Sequence, residues 1–204
     1  MPLDQRTLDA LWDFSDPGGS EERLRRAADD ATGAARDELL TQAARALGLQ
    51  GRFVEADEAL DALDSPDDAV RVRVALERGR IRNSAGEPEA ALRHLHEAAR
   101  AADAAGLLFL QVDALHMLAI VDSAQAHIWT AAALRALAST DDARTLRWAV
   151  SLHNNAGWAL VDAGRLDDAE ASFVRARDAA VAHGTAQQVQ GADEALAEVR
   201  AARG

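Results

Sequence analysis

Cysteine, tyrosine and lysine are all missing from this 204-residue chain, and four Trp and four Phe are its only aromatic residues. Without cysteine there is no disulfide, no thiolate metal site and no thiol nucleophile, and nothing speaks for an oxidising compartment. Extended runs of Val, Ile, Thr and Tyr, which favour strands, are missing too, so almost no sheet is expected. The longest apolar stretch, Leu107 to Val121, is interrupted by Gln111, Asp113 and His116 and would cross a bilayer only at high cost. Asp4, Arg6 and Asp9 fall where a signal peptide needs an unbroken apolar core. Positive charge is in the minority. Arginine supplies all 22 basic residues against 34 acidic ones, and the net charge of −12 opposes a general phosphate-binding surface. A cytoplasmic protein with neither a nucleic-acid nor a membrane partner is expected.

What is abundant points to helix. Ala, Leu, Arg and Glu, all strong helix formers, dominate the chain. A pattern of Gly, then Ala five residues on, then Leu or Phe four further on, occurs at Gly51, Ala56 and Leu60, at Gly86, Ala91 and Leu95, and at Gly164, Ala169 and Phe173. In such a pattern the Gly turns between two amphipathic helices, the Ala lets them approach, and the larger residue fills the space between them. The glycines are 35 and 78 residues apart, close to one and two units of a helical repeat.

The segment from Gly157 to Ala176, through Gly164, Ala169 and Phe173, resembles a nearly complete tetratricopeptide repeat. Leu47, Gly51, Phe53, Ala56 and Leu60 match a second copy, and Gly79, Gly86, Ala91, Leu95 and Ala98 a third. Arg82 departs from the family's large apolar residue, and Pro88 replaces its usual aromatic at a first-turn position where Pro is tolerated. The resemblance, to bacterial tetratricopeptide proteins, implies an all-α, right-handed α-solenoid of about five antiparallel helix pairs plus a C-terminal capping helix. One domain over 1–204 is expected, with approximate units 4–31, 35–65, 68–106, 107–140 and 142–184 and a cap at 185–204. The unit 107–140 has lost the signature or never had it.

Turn signals and periodicity predict helices over 4–14, from a Ser20 N-cap onward, 35–49, 52–63, 68–85, 87–104, 108–121, 126–138, 142–163 and 166–183. Thr185 with Gln188 has capping-box spacing and predicts a last helix to about residue 202. Polar residues on that helix suit the shielding of an open end. An end left unshielded can pair with its copy, so self-association is admitted.

The resemblance places positions two, five and nine of each first helix on the concave side, and helical spacing agrees that they share a face. Those columns nominate Thr41, Arg45, Arg73, Arg80, Asp113, His116, Asn154 and Trp158, with Glu77 between two of the arginines. Two readings of the arginines stand side by side. Their forks can hold a carboxylate or phosphate, or Arg73, Glu77 and Arg80 can pair along one helix. Asn154 and Trp158 are read as ligand contacts, a hydrogen-bonding amide and a flat apolar platform. The family's Lys/Asn carboxylate clamp is not reproduced in a chain without lysine.

The chemistry of catalysis is thinly represented. His94 and His96 point to different faces, and Asp113 with His116 is one pair where a dimetal bundle needs several. No nucleophile elbow, phosphate loop or dinucleotide fingerprint is present. Neither a metal, a cofactor nor a catalytic residue is assigned. Trp12, Trp129 and Trp148 are read as packing residues. The expected function is a noncatalytic scaffold whose groove binds a peptide segment or partner protein. The alternatives are a small-molecule or peptide sensor, and an enzyme with a groove pocket centred on His116.

Overall fold

A computed structural model describes Leu3 and residues 5–202, and every regular element among them is helical. The order is α1 (Gln5–Leu11), α2 (Pro17–Asp29), α3 (Gly33–Leu49), α4 (Phe53–Asp61), α5 (Asp68–Ser84), α6 (Pro88–Ala104) and α7 (Leu108–Val121), then a 3-10 turn at Ser123–Gln125. It continues with α8 (Ala126–Leu137), α9 (Ala143–Leu146), α10 (Trp148–Asp162), α11 (Leu166–His183) and α12 (Ala186–Ala201). The expected helix start at residue 4 and the end of the cap at 203–204 lie outside the described residues.

The three signature glycines end their helices in the same way. Gly51, Gly86 and Gly164 have φ of 75°, 79° and 71°, which only glycine adopts without strain. After each, the next residue returns its N–H to a carbonyl five residues back: Arg52 to Leu47 at 3.0 Å, Glu87 to Arg82 at 2.9 Å and Arg165 to Leu160 at 2.9 Å. This is a Schellman closure, which satisfies the last carbonyls of one helix and aims the chain into the next. The paired positions are sealed, with Ala56, Leu60, Ala91, Leu95, Ala169 and Phe173 all at 0% exposure.

Contacts group the residues into two compact units that divide between Val121 and Asp122. The division falls inside the segment 107–140 that the sequence treats as one helix pair, so α7 and α8 belong to different units. In the first unit α3, α5 and α7 form one row, while α4 lies against α3 and α5, and α6 against α5 and α7. Its core has two parts, one of Leu8, Leu24, Ala28, Leu39, Ala43 and Ala46, the other of Ala44, Leu47, Ala56, Leu60 and Ile81. In the second unit α10 packs on α8, α11 and α12, around Ala169, Phe173, Ala195, Leu196 and Val199.

Several predicted ends shift. The first helix stops at Leu11 rather than Phe14, and α2 begins at Pro17, not after Ser20. Asp16 is the N-cap, accepting from the Gly19 N–H at 2.9 Å, and Pro17 sits in the first turn, where its missing N–H costs nothing. Ser20 is instead fully buried, its hydroxyl bonded to the Asp13 N–H and carbonyl at 2.9 Å each. The helix predicted over 142–163 is two. At the joint Val150 bonds to Arg147 at 3.0 Å, an i to i−3 contact that tightens the turn. The last helix starts as predicted, with both bonds of the Thr185–Gln188 capping box formed. None of the described helices is long and apolar enough to cross a membrane.

Two helical glycines test how far close approach governs stability. A Cβ at Gly157 would lie 2.5 Å from the fully buried Phe173 ring, whereas at Gly191 on α12 it would meet nothing. Alanine gains about 1 kcal/mol over glycine in a helix, while overpacking costs roughly 1–3 kcal/mol. Urea unfolding should therefore show Gly191→Ala stabilised by nearly that first amount and Gly157→Ala destabilised despite its better helix propensity.

Candidate functional site

The predicted inner columns of the first unit do converge, and they do so as a ladder of ions. Residues three and four apart on α3, α5 and α7 face the same way, so each helix brings a short row of polar groups to its neighbour. Arg73, 3% exposed, donates from Nε to Glu38 on α3 at 3.0 Å. Glu77, 1% exposed, accepts from Gln42 Nε2 on α3 at 3.2 Å and from Arg80 at 2.6 Å. Arg80 uses its other terminal nitrogen on Asp113 of α7. Arg45 Nε lies 4.0 Å from Glu77 Oε2, and neither atom has a hydrogen-bond partner.

Three guanidiniums are thus matched by three carboxylates. Of the two readings of the arginines, the geometry is that of mutual pairing, but mostly between helices: only Arg80 with Glu77 is a pair along one helix. Thr41 is also spent internally, donating to the Glu38 carbonyl at 2.7 Å with no exposed surface.

The ladder governs ionisation. Burial would raise the Asp113 pKa, but the Arg80 and Arg45 guanidiniums outweigh it and hold the carboxyl below its ordinary value. Burial lowers the His116 pKa, and the same two arginines add to the effect against the pull of Asp113. Arg45 is lowered by burial and by the like charge of Arg80. Despite its own burial, Arg80 is held in its charged form by Asp113 and Glu77.

Residues of the chain's own N-terminal segment meet the α3 part of this face. The Leu3 N–H bonds to Glu38 Oε1 at 3.1 Å, and Trp12 Nε1 donates to Gln42 Oε1 at 3.3 Å. Trp12 and Phe14 stack with centroids 4.9 Å apart and planes 6° from parallel. The Arg45 Cζ sits 5.4 Å from the Trp12 ring and 5.3 Å from that of Phe14. Beside Arg45 and Arg80, Leu49, Ile81 and Met117 line a cavity of about 190 Å³.

Asn154 and Trp158 belong to the second unit. Trp158 is not an open platform, since it meets Phe173 edge-on at 5.0 Å and joins the packing around Ala169 and Leu166. Asn154 is half-buried one turn earlier on α10. A wider cavity of about 370 Å³ opens in this unit among His127 and Thr130 of α8, His153 of α10, and Ser172 and Arg175 of α11. Burial and Arg175 lower the His153 pKa. Among the described residues no group of three or more His, Asp or Glu could hold a metal ion.

Sequence reasoning missed Gln42 and the covering role of Trp12 and Phe14. A signal for Gln42 existed, because Glu38 with Arg73 and Gln42 with Glu77 are each 35 residues apart, one repeat period.

Comparison with known proteins bears on the fold. No protein-family model matches the sequence, and no curated protein matches it. In structure the chain is similar to BtubC (BKLC) from P. vanneervenii, with a TM-score of 0.55 and 18% identity, over 96% of this chain and 92% of that one. At that identity the likeness concerns the helical architecture alone.

The ladder makes two measurable demands. Removing one member of a buried pair strands its partner's charge, at about 3–5 kcal/mol, so Glu77→Ala should lower the urea midpoint far more than Glu55→Ala at an exposed pair. His116, followed by NMR, should titrate below the ordinary 6.5. Because the unfolded chain then binds the proton more readily, the His116 contribution to stability is present above pH 6.5 and lost as pH falls through the folded value. His94 and His153, also lowered, act in the same sense.

Proposed function

We propose that the chain is a noncatalytic tetratricopeptide-type scaffold of the cytoplasm that binds a peptide segment or partner protein on the face of α3, α5 and α7. One observation carries the reading: residues of the chain's own N-terminal segment, Leu3, Trp12 and Phe14, already contact α3 at that face. Their contacts are those a peptide ligand uses, a backbone N–H given to Glu38, an indole N–H given to Gln42 and two rings over Arg45. The repeated glycine closures and the sealed Ala and Leu or Phe positions support the family assignment.

Catalysis at His116 has less behind it. The Asp113 carboxylate that would orient the imidazole is engaged by Arg80, and burial weakens the ring as a base.

Panning a displayed peptide library on a Trp12→Ala, Phe14→Ala variant, whose Arg45 carries no ring of its own chain, and on the same variant with Arg45→Ala tests the scaffold reading, with circular dichroism confirming that both are folded. Peptides enriched on the first should bind the second at least about tenfold more weakly, the loss of a cation–π contact and its neighbours. No enrichment, or enrichment indifferent to Arg45, would sink the assignment of this face.

A further inference from the structure

Four Trp and four Phe serve 204 residues, and two of them are spent side by side over one guanidinium. Core burial accounts for Trp12, which packs against the cluster of Leu8, Leu24 and Leu39, but not for Phe14, which is 62% exposed. Arg45 is the odd rung of the ladder. One period on from it stands Arg80, a like charge, and its Nε has no hydrogen bond. The two rings lie near its guanidinium, and a π-system attracts a cation without demanding a second charge. Past the rings the surface continues into the cavity walled by Leu49 and Met117, and Leu49 is 49% exposed.

We infer that Trp12 and Phe14 are a built-in occupant of a recognition position on α3, and that a partner polypeptide displaces them, placing an aromatic side chain over Arg45 and an aliphatic one in the adjoining cavity. This rests on the reading of the α3, α5 and α7 face as a polypeptide-binding surface. Displacement is an exchange of like for like: the ring contacts and one indole hydrogen bond are lost within the chain and remade with the partner. The covalently attached occupant competes at high effective concentration, so it weakens every ligand in trans by the same factor. The backbone at residues 11–13 is fastened separately to α2, with Arg23 bonded to the Leu11 carbonyl at 3.0 Å and Ser20 to Asp13. The two rings can therefore leave α3 while the chain stays anchored.

The test uses the full chain and a fluorescent synthetic peptide of its own residues 5–16, with a control peptide in which Trp and Phe are Ala. Anisotropy should show the peptide binding a Trp12→Ala, Phe14→Ala variant at least tenfold more tightly than the wild type. Adding Arg45→Ala should abolish that gain, and the control peptide should bind neither. Equal affinity for wild type and variant would overturn the displacement inference while leaving the scaffold reading standing. Binding to neither would overturn it as well, and the scaffold reading would then stand or fall on the library experiment alone. Should the double variant not fold, NMR-detected hydrogen exchange on the wild type with saturating peptide decides the same question: loss of protection at the Trp12 indole N–H, which donates to Gln42, supports displacement, and unchanged protection there overturns it.

Discussion

The first unit depends on how one carboxylate is neutralised. Glu77 is 1% exposed among Ala-rich helices, where an isolated ion would cost several kcal/mol to desolvate. Gln42 and Arg80 meet one of its oxygens, and Arg45 faces the other at 4.0 Å. Because Arg80 also holds Asp113, and Arg73 holds Glu38, the charge on Glu77 is tied into a set reaching from α3 to α7. Such sets contribute little net stability compared with an apolar replacement, but a wrong helix register would strand charges. Here α3, α5 and α7 stand in the register in which Glu38, Glu77 and Asp113 each meet a guanidinium.

That alignment needs helices close enough for short reaches, and the sequence supplies small residues where the backbones meet. Gly79 on α5 leaves room for Leu95, and Gly48 on α3 faces Ile81, where a Cβ would sit 3.2 Å from the side chain. Apolar packing of Ala, Gly and Leu on one side of each helix thus fixes the distance, and the ions on the other side fix the register. The two effects act on the same helices and reinforce each other, which is how a weakly amphipathic segment such as α5 finds one position.

Most of the helix map was legible, because it is written in local chemistry. Gly51, Gly86 and Gly164 announce turns that need positive φ, and Thr185 with Gln188 announces a cap. What failed also had local causes. Ser20 and Asp16 are equally good caps by type, and only the position of Asp13 decides between them. The break at Arg147 involves no Pro or Gly and is invisible in sequence. For the site, the columns on α3, α5 and α7 were legible by family spacing, yet what their side chains do was not. Trp158 reads as an exposed platform on a helical wheel, but Phe173, from the next helix, covers its edge.

The same periodicity explains why conspicuous residues mislead in a repeat of this kind. A charge in one helix meets, one period on, whatever occupies the same column of the next helix. Where the two are unlike in sign, as with Glu38 and Arg73, the column satisfies itself and leaves little for a ligand, however exposed the wheel makes it look. Where they are alike, as with Arg45 and Arg80, one residue of the pair must find another contact. Arg80 takes Glu77 and Asp113, and Arg45 is left with the far oxygen of Glu77 and the aromatic rings. The residue to follow in such a face is therefore not the most charged cluster but the rung at which the repeat fails to pair with itself.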